Sequence, residues 1–351
     1  MTVSARRAKD RDFVETVEGF FFCLVGYLHP PDRYTAYLKY TPAPIGRWAR
    51  ADMFYHRELP YYHVRNVMVT LEALARDHPR YVWHDPVRDL RFSFVPREAV
   101  RTYYQPEARL ADLCRQPQDA LEEDVAALGR LLSSASGVAP EHFGITGSIL
   151  LRLHNPAFSD IDLLVYGRQN ALCVKQAVAV LRGSHLADLD GERRARWHAE
   201  TTQRFALGPE ALRHLEARRW NHFFFRDRYV SVHPTRLDAE IGETYGAHRY
   251  RAAGVLTIEA TLADTREAMF LPAAYGLTEV VTRTGEASPI AELVSHEGLF
   301  GDFGDPGDRI VARGAVEVRD GVPHRLVLGA AAVPDGGSLT LLRYAKEPER
   351  G

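Results

Sequence analysis

The stretch that decides the fold runs from Gly144 to Gly167 and reads GITGSILLRLHNPAFSDIDLLVYG. Asp160-Ile161-Asp162 leads into Leu163-Leu164-Val165-Tyr166, a short apolar run bounded by Gly167, which predicts a buried strand. Side chains alternate between the faces of a strand, so Asp160 and Asp162 point one way and Ile161 points into the core. Two carboxylates one strand repeat apart repel each other unless a cation lies between them. Mg²⁺ (or Mn²⁺) suits such a pair, because Mg²⁺ takes oxygen ligands, keeps several waters and is completed by substrate phosphates. Upstream, His142 to Thr146 reads as a strand feeding a turn at Gly147-Ser148. Ile149 to Leu153 reads as one or two helical turns, stopped by Asn155-Pro156.

The turn is suited to phosphate. Glycine at 147 lets the backbone approach closely, free N–H groups at a helix start favour an anion, and Ser148 adds a hydroxyl donor. Arg152, one helical turn on, could reach the same phosphates with its fork of donors. A lone Gly-Ser is an ordinary turn and a lone Asp-x-Asp is often a solvated strand edge. Their order and spacing, with a strand on each side, is what carries the functional reading.

These residues resemble the catalytic core of the DNA polymerase β superfamily of nucleotidyltransferases. TGSILLRLHNPAFSDIDLLVYG is similar to a little-characterised, largely archaeal group of predicted nucleotidyltransferases. GFFFCLVGYLHPPDRYTAYLKYTP and FFFRDRYVSVHPTR resemble the same group, less specifically. The resemblance implies an α+β fold with a polymerase-β-like core, a mixed sheet with helices on one side. It implies that Gly147 and Ser148 hold the phosphates of a nucleoside triphosphate, and that Asp160 and Asp162 hold divalent metal. It implies transfer of a nucleotidyl group to a hydroxyl with release of pyrophosphate. The acceptor does not carry over, because the superfamily acts on nucleic-acid ends, proteins and small molecules.

The superfamily usually has a third carboxylate on a later strand. The best later strand here is Tyr229-Val230-Ser231-Val232-His233, where Tyr229, Ser231 and His233 share one face and none is an acid. His233 could act as a base, since its reference pKa lies near neutrality; a capping histidine before Pro234 is an equal reading. Asp227 falls in the Arg226-Asp227-Arg228 turn, while Asp238 and Glu240 lie just beyond the strand and could fold back. Without a third acid, a clamp of two metals on attacking and leaving oxygens is incomplete. The alternative is therefore a catalytically weakened protein on the same fold that binds nucleotide or nucleic acid.

Composition narrows the class. The chain has 351 residues, 46% of them hydrophobic, and a net charge of −2, so there is no global basic bias toward nucleic acid. Nearly every base is arginine; the lysines are Lys9, Lys39, Lys175 and Lys346. Cys23, Cys114 and Cys173 are distant and odd in number, which argues for free thiols and a reducing cytoplasm. No run approaches transmembrane length, and the polar start leads into no long apolar core, so neither a secretion signal nor a membrane anchor is expected. The histidines follow no zinc spacing.

Three regions are expected. Residues 1–135 read as an N-terminal α+β region. A long hairpin of Phe20–Tyr27 and Tyr34–Tyr40 turns at Pro30-Pro31-Asp32, a helix spans about Val64–Arg76, and a strand covers Arg91–Val95. The hairpin aromatics could stack bases, although packing against a helix is the commoner use. A helix is expected over Asp119–Leu132, followed by a linker at Ser133–Gly137. Residues 138–245 read as the core, with a helix at Asn170–Leu181 that carries Lys175, either exposed or reaching a triphosphate. The arginines around Trp197 and Trp220 offer a track for a nucleic-acid acceptor, diluted by Glu192, Glu200, Glu210 and Glu216. Residues 250–345 read as a β-rich domain, a small barrel of OB-like kind, with Ile310–Arg319 turning at Asp320-Gly321 into His324–Leu328. The loop Gly301–Asp308 reads as a tight turn.

Overall fold

The computed structural model describes residues 6–59, 63–205, 207–286, 288–333 and 335–345. It is a mixed α+β chain whose strands form three sheets in sequence order. The first holds β1 (Phe13–Thr16), β2 (Phe21–Leu24), β3 (Arg33–Ala43), β4 (Trp48–Arg50), β5 (Met53–Arg57), β6 (Val82–Asp85), β7 (Leu90–Pro96) and β8 (Val100–Tyr104). Its main order is β4-β5-β3-β2-β1-β8, with β7 pairing β3 and β6. The expected hairpin is β2–β3, with Phe22 opposite Leu38. Phe20 and Phe22 pack with Tyr81 and with Leu74 of helix α1 (Val64–Asp77), so these rings fill a core and are not open to bases.

The second sheet is small and central. Helices α2 (Pro106–Arg115) and α3 (Ala120–Ser136) precede β9 (Phe143–Ile145), the short α4 (Gly147–Leu150), β10 (Ile161–Tyr166) and α5 (Arg168–Leu181). Helices α6 (Gly191–Arg204) and α7 (Pro209–Arg218) then lead into β11 (His222–Phe225) and β12 (Arg228–Thr235). The order is β11-β12-β10-β9, with β10 and β12 parallel and the outer pairs antiparallel. Leu113 of α2, Leu121, Val125 and Leu128 of α3, and Val174 and Val178 of α5 share one apolar cluster with Ile161, Leu163 and Val165. Helices thus cover one face of this sheet.

Ser133–Gly137 is not a linker. Ser133 to Ser136 complete α3, and Gly137 ends it in the left-handed conformation, φ +69°, with its N–H bonded to the Ser133 carbonyl. Glycine adopts that cap without a side-chain penalty, which is how many helices stop. The apolar face of α3 belongs to the central cluster.

The third sheet comprises β13 (Tyr250–Glu267), β14 (Ala273–Thr284), β15 (Glu292–Ser295), β16 (Arg309–Arg319), β17 (Val322–Leu328) and β18 (Ser338–Leu341). It curls strongly: β13 pairs β14 on one edge and β16 on the other, and the path β13-β14-β15-β17-β16 returns to β13. The loop Gly301–Asp308 docks this sheet on the centre. Asp302 forms ion pairs with Lys175 of α5 and Arg218 of α7, and Asp305 also pairs with Arg218. Lys175 therefore has a structural partner. Among the described residues, no helix is long and apolar enough to cross a membrane.

Candidate functional site

The site begins with strand alternation in β10. Ile161, Leu163 and Val165 are fully buried under the helices. Burying a side chain of this size contributes roughly 1.5–3 kcal/mol, and slipping the register by one residue would turn all three outward. That cost fixes Asp162 on the opposite face, and Asp160, just before the strand, lies close enough to feel its charge. Asp160 is exposed at the start of the strand, and Asp162 is partly exposed within it.

The Gly147 turn comes back against this acid pair. The Thr146 N–H donates to the Asp162 carbonyl at 2.9 Å, and the Thr146 hydroxyl to the Arg11 carbonyl at 2.8 Å. Gly147 has φ +69°, and a β-carbon built on it would lie 2.5 Å from Asp162 Oδ2. No other residue fits this position without moving the carboxylate. The helical turn after it is shorter than the sequence suggests: α4 ends at Leu150, and Arg152 is exposed with φ +57°. The charge of Arg152 acts on Arg109, on the side of α2. Ser148 is partly exposed in the turn itself.

Across the parallel pair, Asp162 lies opposite Ser231. Ser231 Oγ donates to Asp162 Oδ1 at 2.5 Å, and His233 Nε2 stands 2.8 Å from Ser231 Oγ and 3.7 Å from Asp162 Oδ1. A serine has one proton to give, so His233 Nε2–H is the donor to Ser231 in this chain of bonds. Burial opposes ionisation of Asp162, yet the His233 N–H, the charge of Lys39 and the Ser231 hydroxyl hold its carboxyl well below the usual range. Desolvation and the neighbouring charge of Asp162 push Asp160 the other way, to about 6, against the pull of Arg57. Burial and the charge of Arg11 push His233 down to about 4, so it is neutral at pH 7. Its placement makes it a positioning residue for Ser231 and Asp162.

One step along the same face stands a second set of side chains. The Arg219 guanidinium donates to Tyr229 Oη at 2.9 Å, and Tyr229 Oη lies 2.9 Å from His222 Nδ1. His222 sits opposite Ser231 on β11, and its ring stacks on Tyr229 at 5.8 Å. Burial and Arg219 press the His222 pKa well below its ordinary value. Arg57, Tyr229, His233 and Arg219 line a cleft of about 1300 Å³ between the three sheets. Asp160 and Asp162 are not among the residues that line it; they stand behind His233, which is 3.7 Å from Asp162, and Tyr229, which feels the charge of both.

The later acids do not fold back to the pair. Asp227 occupies the hairpin turn with φ +62°. Asp238 is bound by Lys9 and by the Arg7 N–H. Glu240 accepts from the N–H groups of Arg168 and Leu237 at 2.8 and 2.9 Å. The strand position opposite Asp162 is a hydroxyl.

A separate cluster could hold a metal ion: one ligand atom each of Asp119, Glu122 and His154 lie within 4.8 Å of one another. Its atoms are already engaged. Asp119 caps α3 through the Glu122 N–H at 2.9 Å and meets His154 Nε2 at 2.9 Å. Glu122 is buried, pairs with buried Arg109, and accepts from the Gln118 N–H at 2.8 Å. These residues join the helix start to the turn after α4.

Sequence reasoning missed Lys39, Arg57, His222 and Arg219 as neighbours of the acid pair. Lys39 is a buried lysine of the first sheet, one of four lysines in a chain whose bases are mostly arginine. That rarity was the available signal. The others depend on tertiary placement.

No protein-family model and no solved structure matches the chain. It is similar to the uncharacterized protein MJ1086 of Methanocaldococcus jannaschii, at 26% identity over 317 residues, covering 89% of this chain and 91% of the relative.

Proposed function

We propose that the protein is a metal-dependent nucleotidyltransferase of the DNA polymerase β type. It moves a nucleotidyl group from a nucleoside triphosphate to a hydroxyl acceptor and releases pyrophosphate. The observation that carries this reading is the close approach of Gly147 to Asp162, which brings the Gly-Ser turn against a β10 carboxylate whose charge Asp160 also feels. The central sheet, covered by helices on one face, is read as the polymerase-β-like core, and the curled C-terminal sheet as an OB-like barrel.

The donor set fits Mg²⁺ or Mn²⁺. Asp160 and Asp162 offer hard oxygen ligands of the kind that Mg²⁺ and Mn²⁺ take, and the nearby imidazole of His233 is engaged with Ser231. A cation held there would neutralise charge on the triphosphate and polarise the α-phosphate. The rest falls to the chain itself. Ser231 and His233 keep Asp162 ionised and oriented. The Gly147-Ser148 turn receives the outer phosphates, and Arg57 brings positive charge toward the acids from the first sheet. The acceptor oxygen, its hydroxyl proton passing to solvent, bonds to the α-phosphorus as the bond from that phosphorus to the oxygen bridging to the β-phosphate breaks and pyrophosphate leaves; catalysis is mostly positioning and electrostatics.

Incubation with α-labelled nucleoside triphosphates, Mg²⁺ or Mn²⁺, and a pool of nucleic acids, protein and small hydroxyl compounds tests the reading. Label should move to one acceptor class, and Asp160→Ala or Asp162→Ala should abolish transfer while the fold survives. Wild-type transfer by either variant would overturn it. Ser231, in place of an acid opposite Asp162, favours the second reading: a catalytically weakened nucleotide- or nucleic-acid-binding protein. That reading expects nucleotide binding with no pyrophosphate release.

A further inference from the structure

Most arginines of α6 and α7 are neutralised by carboxylates. Arg194 pairs with Glu216, Arg196 with Glu192, Arg213 with Glu210, and Arg218 with Asp302 and Asp305. Two in the cleft wall are held differently. The Arg219 guanidinium lies over the Trp197 ring at 4.6 Å and bonds Tyr229 Oη. Among the described residues it forms no ion pair. Arg193 lies over the Phe224 ring at 4.1 Å, and its one carboxylate contact is a loose, exposed one to Asp190 at 3.5 Å.

These two arginines flank one aromatic unit. Phe224 and Tyr229 are opposite residues of β11 and β12, with ring centroids 5.4 Å apart. Tyr229 feels the charges of Asp160 and Asp162. Aromatic faces fix a guanidinium in place but leave its charge and most of its donors unspent. Both side chains line the cleft, whose volume of about 1300 Å³ exceeds the roughly 300–1,000 Å³ of an ordinary small-ligand site. There is room here for a ligand apart from the Gly147-Ser148 turn and the acid pair, which do not line the cleft.

We infer that Arg193 and Arg219 form a phosphate-binding subsite for the acceptor, so that the acceptor carries a phosphate group near its reacting hydroxyl. The word acceptor rests on the proposed transfer reaction; the anion subsite does not. A cationic acceptor is disfavoured here, because it would face Arg219, which forms no ion pair among the described residues, and Arg193, whose carboxylate contact is loose.

The test is equilibrium binding to the full-length protein in EDTA, without divalent metal. The probes are a fluorescein-labelled single-stranded hexaribonucleotide and ribose 5-phosphate, with ribose as the neutral control. At least one phosphate probe should bind while ribose does not. Arg219→Gln and Arg193→Gln should each weaken that probe about tenfold, the effect of losing roughly 1.4 kcal/mol. For the hexanucleotide, each should also lower the salt dependence by about one contact. Arg219→Lys should fall between, and Arg194→Gln, whose charge Glu216 already meets, should bind as wild type. Thermal melting checks that each variant is folded. A response from the hexanucleotide alone identifies nucleic acid, and one from ribose 5-phosphate alone identifies a small phosphorylated acceptor. Failure of both phosphate probes to bind wild type, or equal loss in Arg194→Gln, overturns the subsite and leaves the transfer reading standing. Phosphate binding without nucleotidyl transfer to any acceptor would do the reverse.

Discussion

The Ser231 hydroxyl donates a hydrogen bond to Asp162 Oδ1 at 2.5 Å across the parallel β10–β12 pair, and accepts one from His233 at 2.8 Å. The bond sits where a third acid would be expected, and it serves the second acid. Outer-shell partners of metal-binding carboxylates are worth about 10–100-fold in affinity or activity. Ser231→Ala should therefore reduce transfer by about that factor, and Ser231→Thr, which keeps the hydroxyl, should recover most of it. Steady-state rates of label transfer check both.

The same bond has a pH signature. Asp162 is depressed in the folded state, so it contributes stability at pH values above its unfolded pKa of about 4, and that contribution is lost as pH falls below it. In Ser231→Ala the depression is smaller. The melting temperature should be lower than that of wild type near neutrality, with the difference narrowing in acid.

Asp160 behaves in the opposite sense. Its folded pKa is raised to about 6, so between about pH 4 and 6 the folded chain holds a proton that the unfolded chain has lost. Stability falls as pH rises through that window. Asp160→Asn removes the titration. In EDTA the variant should melt higher than wild type above pH 6 and converge with it near pH 4, while transfer is abolished. Melting curves across pH 4–8 give the comparison.

Gly147→Ala should be more damaging than its size implies. Alanine in the left-handed region costs about 1–2 kcal/mol, and its methyl would meet Asp162 Oδ2. Transfer should be lost, with only a modest fall in melting temperature. Gly137→Ala carries a similar backbone penalty, but its β-carbon meets nothing within 4 Å. It should lower the melting temperature and keep transfer.

Glu122→Gln tests the second cluster. Removing one member of a buried ion pair leaves the other charge uncompensated, at a cost of about 3–5 kcal/mol. Because Arg109 and Glu122 are both buried, chemical denaturation should show a loss of that order.

How much was legible follows from where each signal resides. Strand β10 and the face of Asp162 opposite Ile161, Leu163 and Val165 were readable because alternation is local. The face shared by Tyr229, Ser231 and His233 was readable for the same reason, as were the β2–β3 hairpin and helix α1. The end of α3 was misread because Ser133 to Gly137 has the composition of a linker, and nothing local shows that Ser133 to Ser136 continue a helix. The charges of Lys39 and Arg57 act on the acid pair from the first sheet, and Arg219 bonds Tyr229 from the end of α7; periodicity carries no information about that. His233 was legible as a residue beside the acids. The proton count that ties its Nε2 to Ser231 needed the geometry.

The most direct test of the acid pair is Mn²⁺ binding followed by electron paramagnetic resonance, in the presence of a non-hydrolysable nucleoside triphosphate analogue, because it needs no acceptor. Wild type should bind Mn²⁺ in a nucleotide-dependent way, Glu122→Gln should bind it equally well, and Asp160→Ala and Asp162→Ala should lose it. Undiminished nucleotide-dependent binding in the two aspartate variants would contradict the account.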